Sequence, residues 1–220
     1  SKVALALITK GNEDPNSLMR CLNSIARFVD GIFITVTTPD EGIKIVAERY
    51  GANVDEQIYK FHRTVTQEEI DWFKGSLGFE TFARVGDKIF QFDQARNHNF
   101  NLVPKEFEWI VWMDVDDVLR NGEHLKEIIE TAETRIPEPA ESVFLNYIYQ
   151  ADMVDGQIKD IVIQHLRERL IRNSGVYKWI APIHETLIEQ RPTIKTEDKR
   201  CDILHLSHLE RMQEAIKRNI

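Results

Sequence analysis

The sequence has few cysteines and no long apolar run. Cys21 and Cys201 are the two cysteines among 220 residues, and their separation fits neither a disulfide framework nor a zinc site. No apolar stretch reaches the ~18 to 20 residues that cross a bilayer, and the N-terminus lacks a secretory signal pattern. We therefore expect a cytoplasmic protein with reduced thiols and no transmembrane segment.

Basic runs, internal repeats and low-complexity segments are also lacking. Acidic residues outnumber basic ones, 36 to 28, and the formal net charge is −8. Such a chain repels the phosphate backbone, which argues against nucleic acid as a general partner. With 42% hydrophobic residues, the chain is long enough to bury one large core. Its composition is compatible with a homo-oligomer.

Strand and helix patterns alternate along the first sixty residues. Apolar strands are predicted at Val3–Ile8, Ile32–Thr37 and Val54–Phe61. Helices are predicted after Asp14 and Asp40, where a capping residue precedes an amphipathic pattern. This alternation predicts a doubly wound α/β sheet that binds ligands at the carboxyl ends of its strands.

Residues 62–92 interrupt the alternation. They contain a capping box, formed by Thr66 and Glu69, together with several glycines, and we interpret them as an inserted flap. Beyond the flap, the pattern predicts a helix at Gln94–Leu102 and an apolar strand at Trp109–Met113. An amphipathic helix capped near Asn121 follows.

Beyond Pro139 the turn signals change. Two hairpins are predicted, one around Asp155-Gly156 and one that joins Arg169–Arg172 to Val176–Ile180. A final strand at 203–206 and a charged helix from about residue 209 follow. The C-terminal half is therefore predicted to be mainly antiparallel.

The acidic run Asp114-Val115-Asp116-Asp117 directly follows the strand at 109–113. In an extended chain, Asp114 and Asp116 lie on the same side, close to where the sheet binds ligands. Carboxylate oxygens suit Mg²⁺ or Mn²⁺, and a cation with few protein ligands keeps positions open for diphosphate oxygens. The simpler alternative is a solvated turn with a helix cap.

The same run resembles the first motif of haloacid-dehalogenase-type phosphatases. In that family the first Asp is a nucleophile and the second is an acid or base. The family places this motif at the first strand of its core, whereas two strand–helix units precede it here. The phosphatase is therefore the weaker hypothesis.

Four segments, in order, match the motif pattern of one known enzyme family. The first strand leads into Thr9-Lys10-Gly11-Asn12-Glu13-Asp14 and a helix with Arg20-Cys21-Leu22-Asn23-Ser24-Ile25. Phe92-Asp93-Gln94-Ala95-Arg96-Asn97 resembles a Phe-Ser-x-Ala-Arg-Asn segment, and Trp112–Asp117 takes the place of an Asp-x-Asp (DXD) strand. Arg169–Arg172 through Pro182-Ile183-His184-Glu185 resembles the acceptor-side block, before the strand at Ile203–His205. Together the segments span nearly the whole chain, and their order resembles a family 2 glycosyltransferase of the GT-A fold, in the branch with a Pro-x-His-Glu motif.

This resemblance implies a GT-A catalytic domain at residues 1–206, followed by a C-terminal helix at 207–220. Residues 1–119 would bind the nucleotide sugar and residues 120–206 the acceptor. The implied enzyme moves a sugar from a nucleotide-diphosphate donor, a UDP-sugar, to an acceptor that the sequence does not identify. The implied reaction is inverting and needs Mn²⁺ or Mg²⁺. A catalytically silent module that binds nucleotides or sugars is the alternative.

The resemblance also suggests which residues contact the nucleotide. The loop after the first strand would cradle the nucleoside through Thr9, Lys10 and Glu13. Relatives often hold the base with an Asp at the end of the second strand, where this chain has no Asp before Asp40. Thr37 or Asp40 is the candidate substitute, and a helix cap explains Asp40 equally well.

The resemblance also implies that Arg96 and the acidic run lie close to the diphosphate of the donor. A guanidinium fixed on a helix pairs with phosphate or carboxylate, although a surface ion pair is the alternative for Arg96. The resemblance implies that Asp114 binds ribose or metal, that Asp116 binds the metal directly, and that His205 adds a metal or diphosphate ligand. A packed, hydrogen-bonded histidine is the simpler explanation of His205.

An inverting transfer needs a base that deprotonates the acceptor as it attacks the anomeric carbon. We predict Glu185 as this base, with Asp117 as the second candidate. Alternatively, Glu185 orients the acceptor or pairs with Arg172. His184 and Trp179 are expected near the acceptor, where the indole either stacks on a sugar ring or belongs to the core.

Overall fold

The structure, a computed structural model, describes residues 1–11, 13–77, 83–182 and 185–206. The predicted helix at 207–220 and the predicted role of His184 lie outside these described residues.

Strands and helices alternate through the first half of the chain. In order, they are β1 (Val3–Thr9), α1 (Pro15–Ile25), β2 (Gly31–Val36), α2 (Glu41–Arg49), β3 (Asn53–Glu56), β4 (His62–Thr64), α3 (Gln67–Leu77), β5 (Lys88–Phe90), α4 (Phe92–Leu102) and β6 (Trp109–Trp112). β1 pairs in parallel with β2 and β6, and β2 pairs in parallel with β3. Helical crossovers between successive strands produce this parallel arrangement.

The second half is built mainly from antiparallel strands. Its elements are β7 (Asp117–Arg120), α5 (Leu125–Glu133), β8 (Ser142–Val154), β9 (Gln157–Arg172), β10 (Tyr177–Ile180), β11 (Thr186–Glu189) and β12 (Lys195–His205). β9 is antiparallel to β6 and β8, and β7 is antiparallel to β12, whereas β8 and β12 are parallel. The turn at Asp155-Gly156 joins β8 to β9, as predicted, and both turn residues have positive φ.

One eight-stranded sheet contains strands from both halves, in the order β3-β2-β1-β6-β9-β8-β12-β7. Apolar side chains of α1, α2 and α5 pack on one face, against Val3 and Leu5 of β1 among others. On the other face, Phe100 of α4 packs in a cluster with Ala4 and Ala6 of the same strand. The prediction of a doubly wound, mixed α/β sheet with a mainly antiparallel C-terminal half is confirmed.

The helix caps predicted at Asp14 and Asp40 form as local hydrogen bonds, whereas the side chain of Asn121 makes no cap bond and the prediction of a cap there is wrong. The Asp14 carboxylate accepts from the Asn16 amide at the start of α1, and the Asp40 carboxylate accepts from the Ile43 amide at the start of α2, each at 3.0 Å. Thr66 and Glu69 exchange the two hydrogen bonds of the predicted capping box before α3. In the segment interpreted as a flap, β4 and β5 pair with each other and flank α3.

Two strand predictions are corrected. The third strand ends at Glu56 and not at Phe61, because residues 58–61 form a turn in which Tyr59 has a φ of 56°. Residues 117–120, to which the sequence assigned no strand, form β7, which pairs with β12 along its whole length. Pairing with a distant strand decides this assignment.

The second predicted hairpin is wrong. β10 pairs with β11 in a separate two-stranded sheet and not with residues 169–172 of β9. The side-chain amide of Asn173 donates to the carbonyls of Val103, Pro104 and Phe107. Asn173, predicted as the first residue of the hairpin turn, is therefore hydrogen-bonded to the connection between α4 and β6.

No helix among the residues that the structure describes has both the length and the apolar character needed to span a bilayer.

Candidate active site

Parallel pairing brings the predicted site segments to one edge of the sheet. Thr9 of β1 pairs with Val36 of β2, and Ala6 of β1 pairs with Trp112 of β6. The loops that follow these strands therefore leave the sheet side by side. Asp114 lies two residues beyond β6, and so it lies at the edge where open α/β sheets bind ligands.

Asp114 to Asp117 form a tight turn, which we call the acidic turn. The amide of Asp117 donates to the carbonyl of Asp114, and the amide of Asp114 donates to the Asp117 carboxylate, both at 3.0 Å. The prediction that Asp114 and Asp116 belong to an extended chain is therefore wrong. The side chains of Asp114 and Asp116 are 29% and 30% exposed, whereas Asp117 is fully buried.

His205 lies against the acidic turn because β12 pairs with β7. Its Nδ1 atom lies 3.0 Å from Oδ1 of Asp117 and 3.5 Å from Oδ1 of Asp116. One potential ligand atom from each of these three residues lies within 4.8 Å of the others. The ring of Tyr149 stacks on the imidazole, with centroids 5.2 Å apart and planes 8° apart. The arrangement places carboxylate and imidazole ligands in one small volume.

Asp117 is held by a buried network. Nη1 of Arg169 forms an ion pair with Oδ2 of Asp117 at 3.1 Å, and the hydroxyl of Tyr147 donates to Oδ1 of Asp117 at 3.2 Å. Arg169 is itself fully buried, and its Nη2 atom lies 4.0 Å from Oδ2 of Asp114. Because Asp117 is buried and has these partners, it fits the role of a positioning residue for His205 better than that of a base.

Arg96 of α4 bridges two of the predicted site carboxylates. Its Nη2 atom donates to Asp114, and its Nε atom donates to Oε1 of Glu185 at 2.9 Å. The guanidinium is 4% exposed and lies about 5 Å from the ring centroids of Trp112 and Trp179. Because Arg96 is buried, the alternative of a surface ion pair is wrong for it. The alternative pair between Arg172 and Glu185 is also wrong, because Arg172 lies beside Glu133.

The charges of the site shift the pKa values of its groups. Burial raises the pKa of Asp114, but the guanidinium groups of Arg96 and Arg169 outweigh burial and hold it well below its usual range. Burial lowers the pKa of His205, but the carboxylates of Asp117 and Asp116 outweigh burial and raise it above its usual value. The charges of the site therefore favour the ionised form of Asp114 and shift the titration of His205 to higher pH.

The residues predicted to contact the nucleotide have mainly local partners. Thr9 and Thr37 are buried, and the hydroxyl of Thr37 donates to the carbonyl of Thr9. The Glu13 carboxylate accepts from the backbone amides of Lys10 and Gly11, each at 2.7 Å. Together with the Asp40 cap, these bonds shape the loops at the sheet edge. The structure brings the loops, but not the side chains of Thr9 and Thr37, to an accessible surface.

Trp179 belongs to the core. Its ring is 1% exposed and meets Trp112 edge-on, with centroids 4.7 Å apart. Of the two alternatives considered for Trp179, the structure supports the core position, because the buried ring has no face open to a sugar. A cavity of about 370 Å³ is lined by Arg120, Met153, Gly156, Gln157, Ile158 and Leu204, none of which is a predicted site residue.

Residues outside the predicted set also belong to this site. Arg169 and Tyr147 surround Asp117, and Arg167 lies over Trp112. Arg167 and Arg169 alternate along β9, a pattern that indicates cations on one face of a strand. That signal was available in the sequence, but the partners on other strands were not.

Comparison with known proteins finds distant likenesses. No protein-family model and no curated protein matches the chain. Glucosyl-3-phosphoglycerate synthase from Mycobacterium tuberculosis, in complex with Mn²⁺, UDP and glucosyl-3-phosphoglycerate, is 14% identical with a TM-score of 0.38. The match covers 68% of this chain and 44% of that chain, which is less than half of its length. A second structure of that enzyme contains Mg²⁺ and UDP.

Two structures of 4-diphosphocytidyl-2C-methyl-D-erythritol synthase are also similar. One is 16% identical with a TM-score of 0.42, over 80% of this chain and 77% of that chain. The other, from Anaerococcus prevotii, is 13% identical with a TM-score of 0.42, over 80% and 73%.

Proposed function

We propose that this chain is a glycosyltransferase of the GT-A type that transfers a sugar from a nucleotide-diphosphate donor, a UDP-sugar, with Mn²⁺ or Mg²⁺. The observation that carries the proposal is the acidic turn beside His205, at the carboxyl end of a central parallel strand and joined through Arg96 to Glu185. We also propose a cytoplasmic location, in line with two free, buried cysteines.

The donor atoms at the turn fit a hard divalent cation. Asp116 offers carboxylate oxygens and His205 offers an imidazole, and both side chains are partly exposed. Nδ1 of His205 lies 3.0 Å from the Asp117 carboxylate, so Nε2 would be the metal-binding atom when Nδ1 carries the proton. Asp114 is a further candidate for metal or ribose through Oδ2. A bound cation would offset the negative charge that develops on the departing diphosphate.

Glu185 is the proposed base. Its Oε1 atom accepts from Arg96, while Oε2 makes no hydrogen bond within the described part of the chain. Oε2 would take the proton of the acceptor hydroxyl as the acceptor oxygen bonds to the anomeric carbon. The bond from that carbon to the diphosphate oxygen breaks at the same time, which inverts the configuration. Arg96 holds Glu185 and Asp114 at a fixed separation, because a guanidinium is a rigid fork.

The enzyme is tested by release of UDP from UDP-sugars with Mn²⁺. We expect metal-dependent turnover by the chain, which Asp116→Ala abolishes and Asp160→Ala retains, since Asp160 is an exposed carboxylate of β9. The two variants remove the same group at two sites, so a general loss of acidity cannot explain a difference between them.

The other outcomes identify other functions. Binding of UDP and Mn²⁺ without turnover would indicate the silent binding module. Phosphate released from phosphomonoesters would indicate the phosphatase, and pyrophosphate released from a nucleoside triphosphate would indicate nucleotidyl transfer. Each of these results contradicts the proposed glycosyltransferase.

A further inference from the structure

Three guanidinium groups surround the indole of Trp112, which is fully buried at the end of β6. The Cζ atoms of Arg96, Arg167 and Arg169 lie 4.9, 5.0 and 3.8 Å from its ring centroid. The face of an indole attracts cations, so the ring gathers all three. We call these three residues the arginine cluster.

The three arginines differ in their partners. Arg96 pairs with Asp114 and Glu185, and Arg169 pairs with Asp117. Within the described residues, Arg167 makes no ion pair or hydrogen bond, although it is half-buried. It is the cation of the cluster that no carboxylate contacts directly among the described residues, although Asp114 and Glu168 attract it from a greater distance.

Arg169 adds a second observation. Its side chain is fully buried, yet neither Nε nor Nη2 has a hydrogen-bond partner. Buried N–H groups normally have an acceptor, and an unpaired one costs free energy. The arginine cluster thus has donors for an acceptor that the described residues do not supply.

A β-bulge in β9 sets the position of Arg169. Val143 of β8 pairs with Leu170 of β9, and Phe144 pairs with Glu168, so Arg169 is the extra residue of a β-bulge. Bulges redirect side chains and are frequent near active sites. Burial and the positive charge of Arg169 lower the pKa of Arg167, which means that the cluster disfavours an unpaired cation there.

The position of β9 indicates which substrate would meet Arg167. β6 lies between β1 and β9, so the loops of the proposed nucleotide side and the arginines of β9 lie on opposite sides of Asp114. Under the proposed function, the two charges of a donor diphosphate are matched by a divalent cation. The positive charge of Arg167 is then available to the other substrate.

We propose that Arg167, supported by Arg169 and Trp112, forms a subsite for an anionic group of the acceptor, a carboxylate or a phosphate monoester. The inference rests on the proposed function, because that function defines the acceptor side. It narrows the acceptor to a molecule with a negative charge close to the hydroxyl that is glycosylated.

The test measures binding of small anions when the nucleotide site is already occupied. Inorganic phosphate, glycerol phosphate and glycolate are titrated by calorimetry into the chain with saturating UDP and Mg²⁺. Glycerol and glycolamide serve as matched probes without the charge. We expect the anions to bind and the neutral probes not to bind. Equal binding of charged and neutral probes, or displacement of UDP by the anions, would overturn the inference.

The variants assign the binding to Arg167. Arg167→Gln should weaken anion binding tenfold or more, Arg167→Lys should retain part of it, and Lys159→Gln, which removes an exposed cation from the same strand, should leave it unchanged. Unaltered affinity in both Arg167 variants contradicts the subsite. Arg167→Lys keeps the test valid if Arg167→Gln does not fold. Binding of UDP and Mg²⁺ is measured separately, so failure of the donor site is distinguished from failure of the anion subsite.

Discussion

His205 and Asp117 face each other across the ladder between β12 and β7, with Nδ1 and Oδ1 3.0 Å apart. The carboxylate is fully buried, so it fixes the orientation of the imidazole from inside the sheet. A histidine that is held at one ring nitrogen presents the other nitrogen in a defined direction, which is how metal-binding histidines are usually supported. The core of the domain and the proposed metal site therefore share this residue pair.

Asp117→Asn tests that support. The variant keeps the side-chain shape but removes the charge that faces Arg169 and His205. Because it leaves a buried guanidinium without its carboxylate, we expect a loss of about 3 kcal/mol in the free energy of unfolding. Affinity for Mn²⁺ should fall about tenfold. Urea unfolding and Mn²⁺ titration measure the two effects.

Asp160→Asn is the control for this substitution. Asp160 is exposed on β9, so its variant should change neither stability nor Mn²⁺ binding. Asp117→Asn with wild-type Mn²⁺ affinity would show that Asp117 does not orient a metal ligand. A loss of stability alone would assign it a purely structural role.

Arg96→Lys tests the bridge between Asp114 and Glu185. A lysine ammonium lacks the planar fork that donates to both carboxylates, and it loses the stacking on Trp112 and Trp179. We expect kcat for UDP release to fall at least tenfold, with KM for the UDP-sugar changed less. Steady-state kinetics at saturating Mn²⁺ measure both parameters.

A double-mutant cycle with Glu185→Gln gives the control for that bridge. If Arg96 acts on the reaction through Glu185, the double variant Arg96→Lys/Glu185→Gln should be hardly slower than Glu185→Gln alone. Fully additive losses in kcat would contradict the bridge as a working unit.

The parts of the fold that follow from local chemistry could be predicted from the sequence. The caps at Asp14 and Asp40 need a carboxylate and a nearby amide, and the turn at Asp155-Gly156 needs two residues that accept positive φ. Apolar strands such as β1 are recognised because both faces are buried. These patterns were sufficient for the mixed α/β class.

The parts that depend on distant partners could not be predicted. β7 is a strand because β12 pairs with it. β9 ends before Asn173, whose side-chain amide donates to three carbonyls in the connection between α4 and β6. The acidic run pointed to the candidate site, but the sequence did not show the turn at Asp114, or the burial of Asp117 against Arg169. Spacing along one segment contains no information about such long-range contacts.

The two cysteines provide a test of the core that is independent of function. Burial, followed by the charge of Asp117, raises the pKa of the Cys21 thiol, and burial raises the pKa of the Cys201 thiol to about 12. Both thiols are therefore inaccessible and protonated at pH 8. We expect neither to react with a disulfide reagent in the native chain and both to react in urea. Rapid native labelling of either cysteine would contradict its burial.

Glu69 makes stability depend on pH. Its hydrogen bond with Arg63, followed by the bond from the Thr66 amide, lowers the pKa of its carboxyl from 4.5 to about 2. A carboxyl with a lowered folded-state pKa binds fewer protons in the native chain than in the unfolded chain. Its contribution is therefore fully present above about pH 4.5 and is lost as the pH falls toward 2.

Glu69→Gln should remove this contribution, while Glu68→Gln, at an exposed glutamate in the same first turn of α3, should not. Because the Glu69 side chain is 33% exposed, solvent screening reduces the expected loss to about 1 kcal/mol at pH 7. The difference between Glu69→Gln and the wild type should shrink as urea unfolding is repeated from pH 5 down to pH 3. A difference that stays constant over this range would mean that the charge of Glu69 contributes nothing, and that the variant acts only through the lost backbone cap.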